Sequence, residues 1–521
     1  MLLHHFLDYW ARERPEGEFA VQGDRRLTYR EALMAVNRGA HALVSAGLQV
    51  GERVAILSKN RLEYILLYFA ASKAGVVPVP LNYRLAPPEW TYLLNDARAK
   101  MLIASGPYVE VVADLQNELK TVDRFVALDG VHAPGWEDYD RWTTRQPSTA
   151  PDRLLTENAD LYQMYTSGTT GHPKGALLTH RAVVANIFQN SLVQGGKPGE
   201  RCLVVLPLFH AGVVPAAFTP VSWGGSLYIQ EAFNPVEVVR ALSEERIGFA
   251  ALVPAMIQAC LGAVPDISER RYEHLRLIYY GASPIAEQTL RRALQVFPCD
   301  FSQAYGMTEA TQALTFLFPA DHRRALAEKT ELLLSAGRPA MGTEVRIVDE
   351  HDTPVPLGAP GQIIARGPQL MRGYWNRPEE SEEVLRGGWL HTGDVGMLDA
   401  EGYLYVLDRV KDVIVSGGEN VYPRIVENVL YQHPAIHEVA VIGVPDEKWG
   451  EAVKAVVVLK QGATTTEAEI LDFCRGKLGS FERPRSVDFT KALPRNPSGK
   501  ILKRVLREPY WLGQRRQVAG A

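Results

Sequence analysis

The sequence predicts an α/β protein: a large N-terminal body of helix-covered parallel sheets plus a β-rich subdomain, with a small α+β C-terminal domain. Three observations predict it. Up to about residue 330, short apolar runs alternate with helix-period segments, the pattern of strands covered on both faces by crossover helices. From Gly342 to Gly373 the pattern becomes short strands punctuated by Gly and Pro turns. A second change near Asp408–Asp412 opens a stretch whose strands and helices carry their own apolar faces. At 521 residues the chain is long enough for more than one core.

The elements follow in order. Leu3, Phe6, Leu7 and Trp10 fall at helical spacing and predict a surface helix docked on the body. Asp8 interrupts this short apolar start and no basic segment precedes it, so it does not read as a secretory signal. A helix over Glu31–Ala46 precedes a strand at Val54–Leu57. A helix over Leu62–Ala74 leads to the strand-like VVPVPL, and Trp90–Ala97 leads to Met101–Ala104. A strand at 161–164 (LYQM) precedes a Gly/Thr-rich string, and a helix over Arg181–Gln189 follows it. Further on, Val236–Glu245 leads to Gly248–Val253, Leu275–Tyr280 reads as a strand, and Glu287–Phe297 leads to Phe301–Tyr305. The apolar run Phe249–Val264 contains Pro254 and Gln258 and falls short of the roughly 20 residues a membrane span needs. It reads as a buried strand entering a helix.

Past Tyr403, YLYVLDRVKDVIVSGG reads as two strands about a turn. Pro423 suits the first turn of a helix with the apolar face Ile425, Val426, Val429 and Leu430. Strands at His437–Gly443 and Ala452–Leu459 then precede a helix over Glu467–Leu478.

Composition narrows the function. Apolar residues at 46% and charged residues at 22% exclude a disordered or collagen-like chain. A formal net charge of −4 gives no support for a nucleic-acid partner. Cys202, Cys260, Cys299 and Cys474 form no CxxC pair, so neither a disulfide framework nor a zinc site is expected, and a cytoplasmic setting is the simplest. No integral membrane segment is expected; peripheral membrane contact and a homodimer stay open.

The densest chemistry lies in YTSGTTGHPKG, Tyr165–Gly175. Glycines let backbone N–H groups approach a phosphate, hydroxyls add donors, and Lys174 adds charge. The helix that follows is expected to aim its positive end at the same site. This is not a Walker A loop, because, counted from Gly168, Pro173 stands where that pattern needs the glycine that opens its GK[ST], and no GxGxxG follows a strand.

The string resembles the signature loop of the adenylate-forming superfamily of acyl-CoA synthetases, peptide-synthetase adenylation domains and luciferases. Further strings agree in the family's order: Gly281–Pro284 (GASP), Tyr305–Glu309 (YGMTE), Trp389–Gly396 (WLHTGDVG), Tyr405–Lys411 (YVLDRVK), Ser416–Pro423 (SGGENVYP) and Pro494–Lys500 (PRNPSGK). The resemblance covers nearly the whole chain. It implies an adenylation body over residues 1–410 and a mobile C-terminal domain over residues 411–521, hinged at Lys411.

The resemblance also implies the chemistry. A carboxylate attacks the ATP α-phosphate, giving acyl-AMP and pyrophosphate, and the coenzyme A thiol then displaces AMP. The implied catalytic residues are Lys500, Thr166 and His210, with Lys500 bridging two anions. Thr166, Ser167, Gly168, Thr169, Thr170, Gly171 and Lys174 would hold phosphates. Gly281, Ala282, Ser283, Tyr305, Gly306, Met307 and Thr308 would line the nucleotide, and Glu309 would bind Mg2+. Asp394 would hold the ribose, with Arg409 and Lys411 nearby, and Ser416, Gly417 and Gly418 would approach coenzyme A.

The acyl pocket implied by the resemblance draws on His210–Ala217, Val253–Ala255, Gly281–Ser283 and Gln303–Ala304, mainly small and apolar. It implies an apolar carboxylic acid, a medium- or long-chain fatty acid, with an aryl or aryl-propenoic acid as the alternative. Histidine rather than aspartate after Phe209 argues against an amino acid. A non-catalytic nucleotide-binding protein is the alternative from another class. The sequence departs from the family at Ile425, where an acid is common, and at Phe481–Glu482, in place of a Tyr-Lys pair.

Overall fold

The computed structural model describes residues 1–131, 133–166, 173–495 and 501–512. Its N-terminal part is organised around two helix-covered sheets. One is all-parallel, in the order Val77–Pro80, Arg53–Leu57, Met101–Ala104, Arg124–Ala127, Trp136–Asp138. The helix Leu62–Ala74 between its first strands is buried all round, which is why its sequence is apolar on every face. The second sheet has nine strands, with a parallel centre of Asp300–Tyr305, Leu277–Gly281, Ile247–Leu252, Arg201–Val204, Ser226–Ile229 and Glu18–Gln22. Antiparallel strands close both its edges. These runs are the apolar segments predicted as strands.

The helix His4–Glu13 docks through Leu3, Phe6 and Leu7, and the Trp10 indole donates to the Ser222 carbonyl at 3.0 Å. A strand entering a helix is found where expected, at Ile247–Leu252 and Pro254–Ala263. Among the described residues no helix is long and apolar enough to cross a membrane. Cys202, Cys260 and Cys474 are buried, Cys299 is half-buried, and burial raises all four thiols.

Three expectations need correction. The β-rich subdomain does not end at Gly373. Its antiparallel sheet runs Glu344–Val348, Gly361–Arg366, Leu390–Leu398, Leu404–Arg409, and Gly373–Tyr374 instead pairs with Lys174–Thr179. The two strands about a turn do not pair with each other: Leu404–Arg409 belongs to that sheet and Ile414–Ser416 to the C-terminal one. The third concerns the helix after the Gly/Thr-rich string. The strands Asp160–Thr166 and Lys174–Thr179 form a hairpin in which Thr166 faces Lys174 and Asp160 faces Thr179. The helix starts at His180, beside Asp160, so about 17 Å of strand separates its positive end from the string.

The C-terminal sheet runs Glu419–Val421, Ile414–Ser416, Gly450–Leu459, Ile436–Asp446, with Ser486–Phe489 added parallel to Gly450–Leu459. The helix Pro423–Leu430 buries Val426 and Leu430 against it, and the later helix stops at Phe473.

His4, His180 and His322 are buried, and burial lowers them from 6.5 to about 3, 3 and 4. Phe318 offers His322 only a carbonyl, so its Nδ1 carries the proton and Nε2 accepts from the Tyr280 hydroxyl at 2.9 Å. The folded chain therefore favours neutral imidazoles. The stability they contribute is present above pH 6.5 and is lost as pH falls toward the folded values. The slope is up to about 1.4 kcal/mol per pH unit for each group. The urea midpoint is expected to fall between pH 7 and pH 5, with His322→Gln flattening the slope. An unchanged slope in that variant would remove His322 from the explanation.

Candidate nucleotide and acyl site

Four segments expected to share a site leave the same edge of one sheet. Arg201–Val204, Ile247–Leu252, Leu277–Gly281 and Asp300–Tyr305 are adjacent and parallel, with Leu203 opposite Ala250, Leu252 opposite Tyr280 and Gly281 opposite Ala304. The chain after each carboxyl end therefore emerges on one side, where open α/β sheets bind ligands. Those stretches are His210–Ala217, Val253–Ala255, Gly281–Ser283 and Tyr305–Glu309. Backbone crowding demands two of the glycines. A Cβ at Gly281 would lie 2.5 Å from the Ala304 carbonyl oxygen, and one at Gly306 would lie 2.2 Å from that of Gln312. Ala282 holds a left-handed φ of 69°, and Thr308–Ala310 form a single 3-10 turn after Met307.

Two polar groupings sit at this edge. The first joins three expected residues. Asp394 and Arg409 face each other across paired strands, with Nε 2.9 Å from Oδ1, and Tyr305 donates its hydroxyl to Asp394 Oδ2 at 2.8 Å. The Arg–Asp contact is a close ion pair without hydrogen-bond alignment. Asp394 chiefly raises the Arg409 guanidinium. Burial, then Asp394, raises the Tyr305 phenol well above its ordinary value.

The second grouping contains residues that sequence reasoning missed. Tyr374 donates its hydroxyl to Glu309 Oε1 at 2.8 Å, and its ring lies 5.3 Å from the Lys174 ammonium. Lys174 also pairs with Glu380. This closeness follows from pairing of Tyr374 with Ala176, reinforced by the Trp375 N–H donating to the Gly175 carbonyl at 2.8 Å. No local pattern marks Tyr374 or Glu380. Ser167, Gly168, Thr169, Thr170, Gly171 and Lys500 lie outside the described residues. Their neighbours are placed: Thr166 is half-buried opposite Lys174, and Arg495 pairs with Ile501.

Among the described residues no three His, Cys, Asp or Glu side chains converge to hold a metal. Glu309, buried and oriented by Tyr374, instead fits an ion that takes most of its oxygen shell from phosphates and water.

The His210 ring lies tilted at 48° against Phe209 with ring centroids 4.4 Å apart, and burial lowers it to about 4. Its Nε2 is buried without a hydrogen-bond partner. The following Val214–Phe218 turn is wholly buried and apolar.

Lys411 lies in the 3-10 turn Val410–Asp412, and burial lowers its ammonium. Just beside this turn, Lys503 reaches Asp408 at 2.8 Å and Glu427 at 3.0 Å. Burial opposes its charge, but the two carboxylates more than offset this and leave Lys503 raised. Arg507 pairs with Asp412 at 2.8 Å. Ser416 pairs with Glu419 across a two-glycine turn, Gly417 and Gly418, whose φ values of 62° and 87° suit a tight hairpin. A Cβ on Gly417 would lie 2.6 Å from the Trp449 ring.

The "AMP-binding enzyme" family matches residues 7–375, and the "AMP-binding enzyme C-terminal domain" matches residues 425–500. The chain is 39% identical to the feruloyl-CoA synthase of Amycolatopsis sp over 505 residues, covering 96% of this chain and 97% of that one. It is 35% identical to the long-chain-fatty-acid–CoA ligase FadD13 of Mycobacterium tuberculosis over 494 residues, 94% of each chain. The fold matches the crystal structure of the anthranilate CoA ligase AuaEII in complex with anthranoyl-AMP with a TM-score of 0.91, at 27% identity and 98% coverage of both chains. The chain belongs to the AMP-binding enzyme family, as an acyl-CoA ligase of the adenylate-forming superfamily.

Proposed function

We propose that the chain activates an apolar carboxylic acid, a medium- or long-chain fatty acid, as acyl-AMP and transfers it to coenzyme A. The observation that carries this reading is the meeting, at one sheet edge, of the Tyr305–Asp394–Arg409 and Glu309–Tyr374–Lys174 groupings beside an apolar turn. A second reading, an aryl-propenoic acid, is favoured by the 39% identity to a feruloyl-CoA synthase.

In the first step a carboxylate oxygen bonds to the α-phosphorus and the bond to pyrophosphate breaks. Two anions must approach, so fixed cations are needed. Lys500 supplies the charge between them. Thr166, Lys174 and the string from Ser167 to Gly171 hold the phosphates, and Thr308 lies beside the α-phosphate. Glu309 would hold magnesium, which when bound would supply charge neutralisation at the phosphates. Asp394 has lone pairs left for the ribose hydroxyls after accepting from Tyr305 and pairing with Arg409. His210 borders the acyl group as a neutral imidazole. In the second step the coenzyme A sulfur bonds to the acyl carbon, AMP leaves, and the thiol proton passes to solvent.

The two steps need different groups around one carbonyl. We therefore propose a division into residues 1–410 and 411–521, with Lys411 as the hinge and the C-terminal part rotating between steps. Rotation carries Lys500 away and brings Ser416–Gly418 toward the pantetheine. A cytoplasmic setting is part of the same reading.

A panel of fatty, aryl, amino and dicarboxylic acids tests it, with coenzyme A-dependent AMP release as the readout. Fatty acids are expected to give the highest kcat/KM. Highest activity with ferulate-like acids would establish the second reading, and with an amino acid or malonate would defeat both.

A further inference from the structure

We propose that Glu380 is a resident counter-ion that occupies Lys174 until nucleotide phosphate arrives, and that Arg377 takes up the displaced carboxylate. The proposal rests on the assignment of Lys174 to the phosphate site. Three observations lead to it.

Lys174 and Glu380 form a direct ion pair, yet both remain partly exposed, at 21% and 36%. A pair at that exposure is weakly bound and open to exchange. The Glu380 carboxylate also has a second cation within reach: Arg377 Nε lies 3.6 Å from its Oε1. Leaving Lys174 therefore does not leave Glu380 without a partner. Lastly, the frame around the pair is fixed. Arg377 Nη2 holds Asp96 Oδ1 at 3.2 Å, and Asp96 Oδ2 accepts from the Tyr165 hydroxyl at 2.6 Å, at the loop end of the phosphate hairpin. The Tyr374 N–H donates to Ser381 Oγ at 2.8 Å, which ties the helix Pro378–Val384 to the strand under Lys174. The ammonium thus stays over the Tyr374 ring while its anionic partner changes. Glu380 acts as a stand-in for phosphate, keeping the cation placed in the empty site and lowering ATP affinity by competing for it.

The test measures ATP and adenosine binding to the full-length chain by calorimetry, with wild type, Glu380→Gln, Glu380→Ala, Lys174→Ala and the Lys174→Ala/Glu380→Gln double variant. Both Glu380 variants are expected to bind ATP about two- to fivefold more tightly. Adenosine, which offers Lys174 no phosphate, should bind unchanged. The gain should vanish in the Lys174→Ala background, because a pairwise exchange needs both members. Unchanged or weaker ATP binding in the Glu380 variants would overturn the proposal. So would an equal gain for adenosine, or a gain that persists without Lys174, which would mark a general field effect. If wild type binds no ATP, the reading of the nucleotide site fails as well; if it binds ATP and only the Glu380 variants disagree, the counter-ion alone fails.

Discussion

Lys500→Ala is expected to slow acyl-adenylate formation by about 10³-fold, while thioester formation from supplied acyl-adenylate stays close to wild type. The magnitude is that of losing a major electrostatic stabiliser in a water-poor site. The split follows from the proposed role: the lysine would be needed where carboxylate and α-phosphate meet, and the second step has no such encounter. Three residues after Lys500, Lys503 is anchored to Asp408 on the strand Leu404–Arg409 and to Glu427 on the helix Pro423–Leu430, and Arg495 pairs with Ile501. Pyrophosphate exchange reads the first half-reaction and coenzyme A consumption the second. An equal fall in both would remove Lys500 from the assigned role.

Asp394→Ala is expected to damage binding and stability together. The carboxylate is buried and both its oxygens are engaged, one near Arg409 Nε and one by the Tyr305 hydroxyl. Truncation leaves a largely covered guanidinium without its main counter-charge and a buried phenol without its acceptor. Breaking such a pair from one side costs about 2–4 kcal/mol. The proposed ribose contact would go with it, so KM for ATP should rise about 10²-fold. Urea unfolding and ATP titration read the two effects separately. A variant of unchanged stability with normal ATP affinity would show that the Tyr305–Asp394–Arg409 grouping is incidental.

Much of this was legible because it is local. Helical and strand periodicity needs only a short window, so Leu62–Ala74 and Met101–Ala104 coincide with their predicted bounds. Two of the motif strings, Gly281–Pro284 and Tyr305–Glu309, lie at the carboxyl ends of strands whose alternation with helices was itself readable. What escaped was decided by pairing. YLYVLDRVKDVIVSGG contains two strands, but which sheet each joins depends on partners at Leu390–Leu398 and Gly450–Leu459. The helix after the Gly/Thr-rich string begins beside Asp160 because the hairpin register places it there, and no property of the helix records that. Tyr374 reaches Glu309 across 65 residues of chain, and Lys503 reaches Asp408 across 95. Aromatic and lysine side chains are common, so neither position carries a signal until the fold brings the partner.

In the proposed reaction an acid is activated on ATP before coenzyme A takes part. Acid-dependent ATP–pyrophosphate exchange by the wild-type chain, without coenzyme A, tests it most directly. Exchange is expected, and it should require an apolar carboxylic acid and magnesium. Absence of exchange across a broad acid panel, in protein that still binds ATP, would contradict it and leave a nucleotide-binding protein without this chemistry.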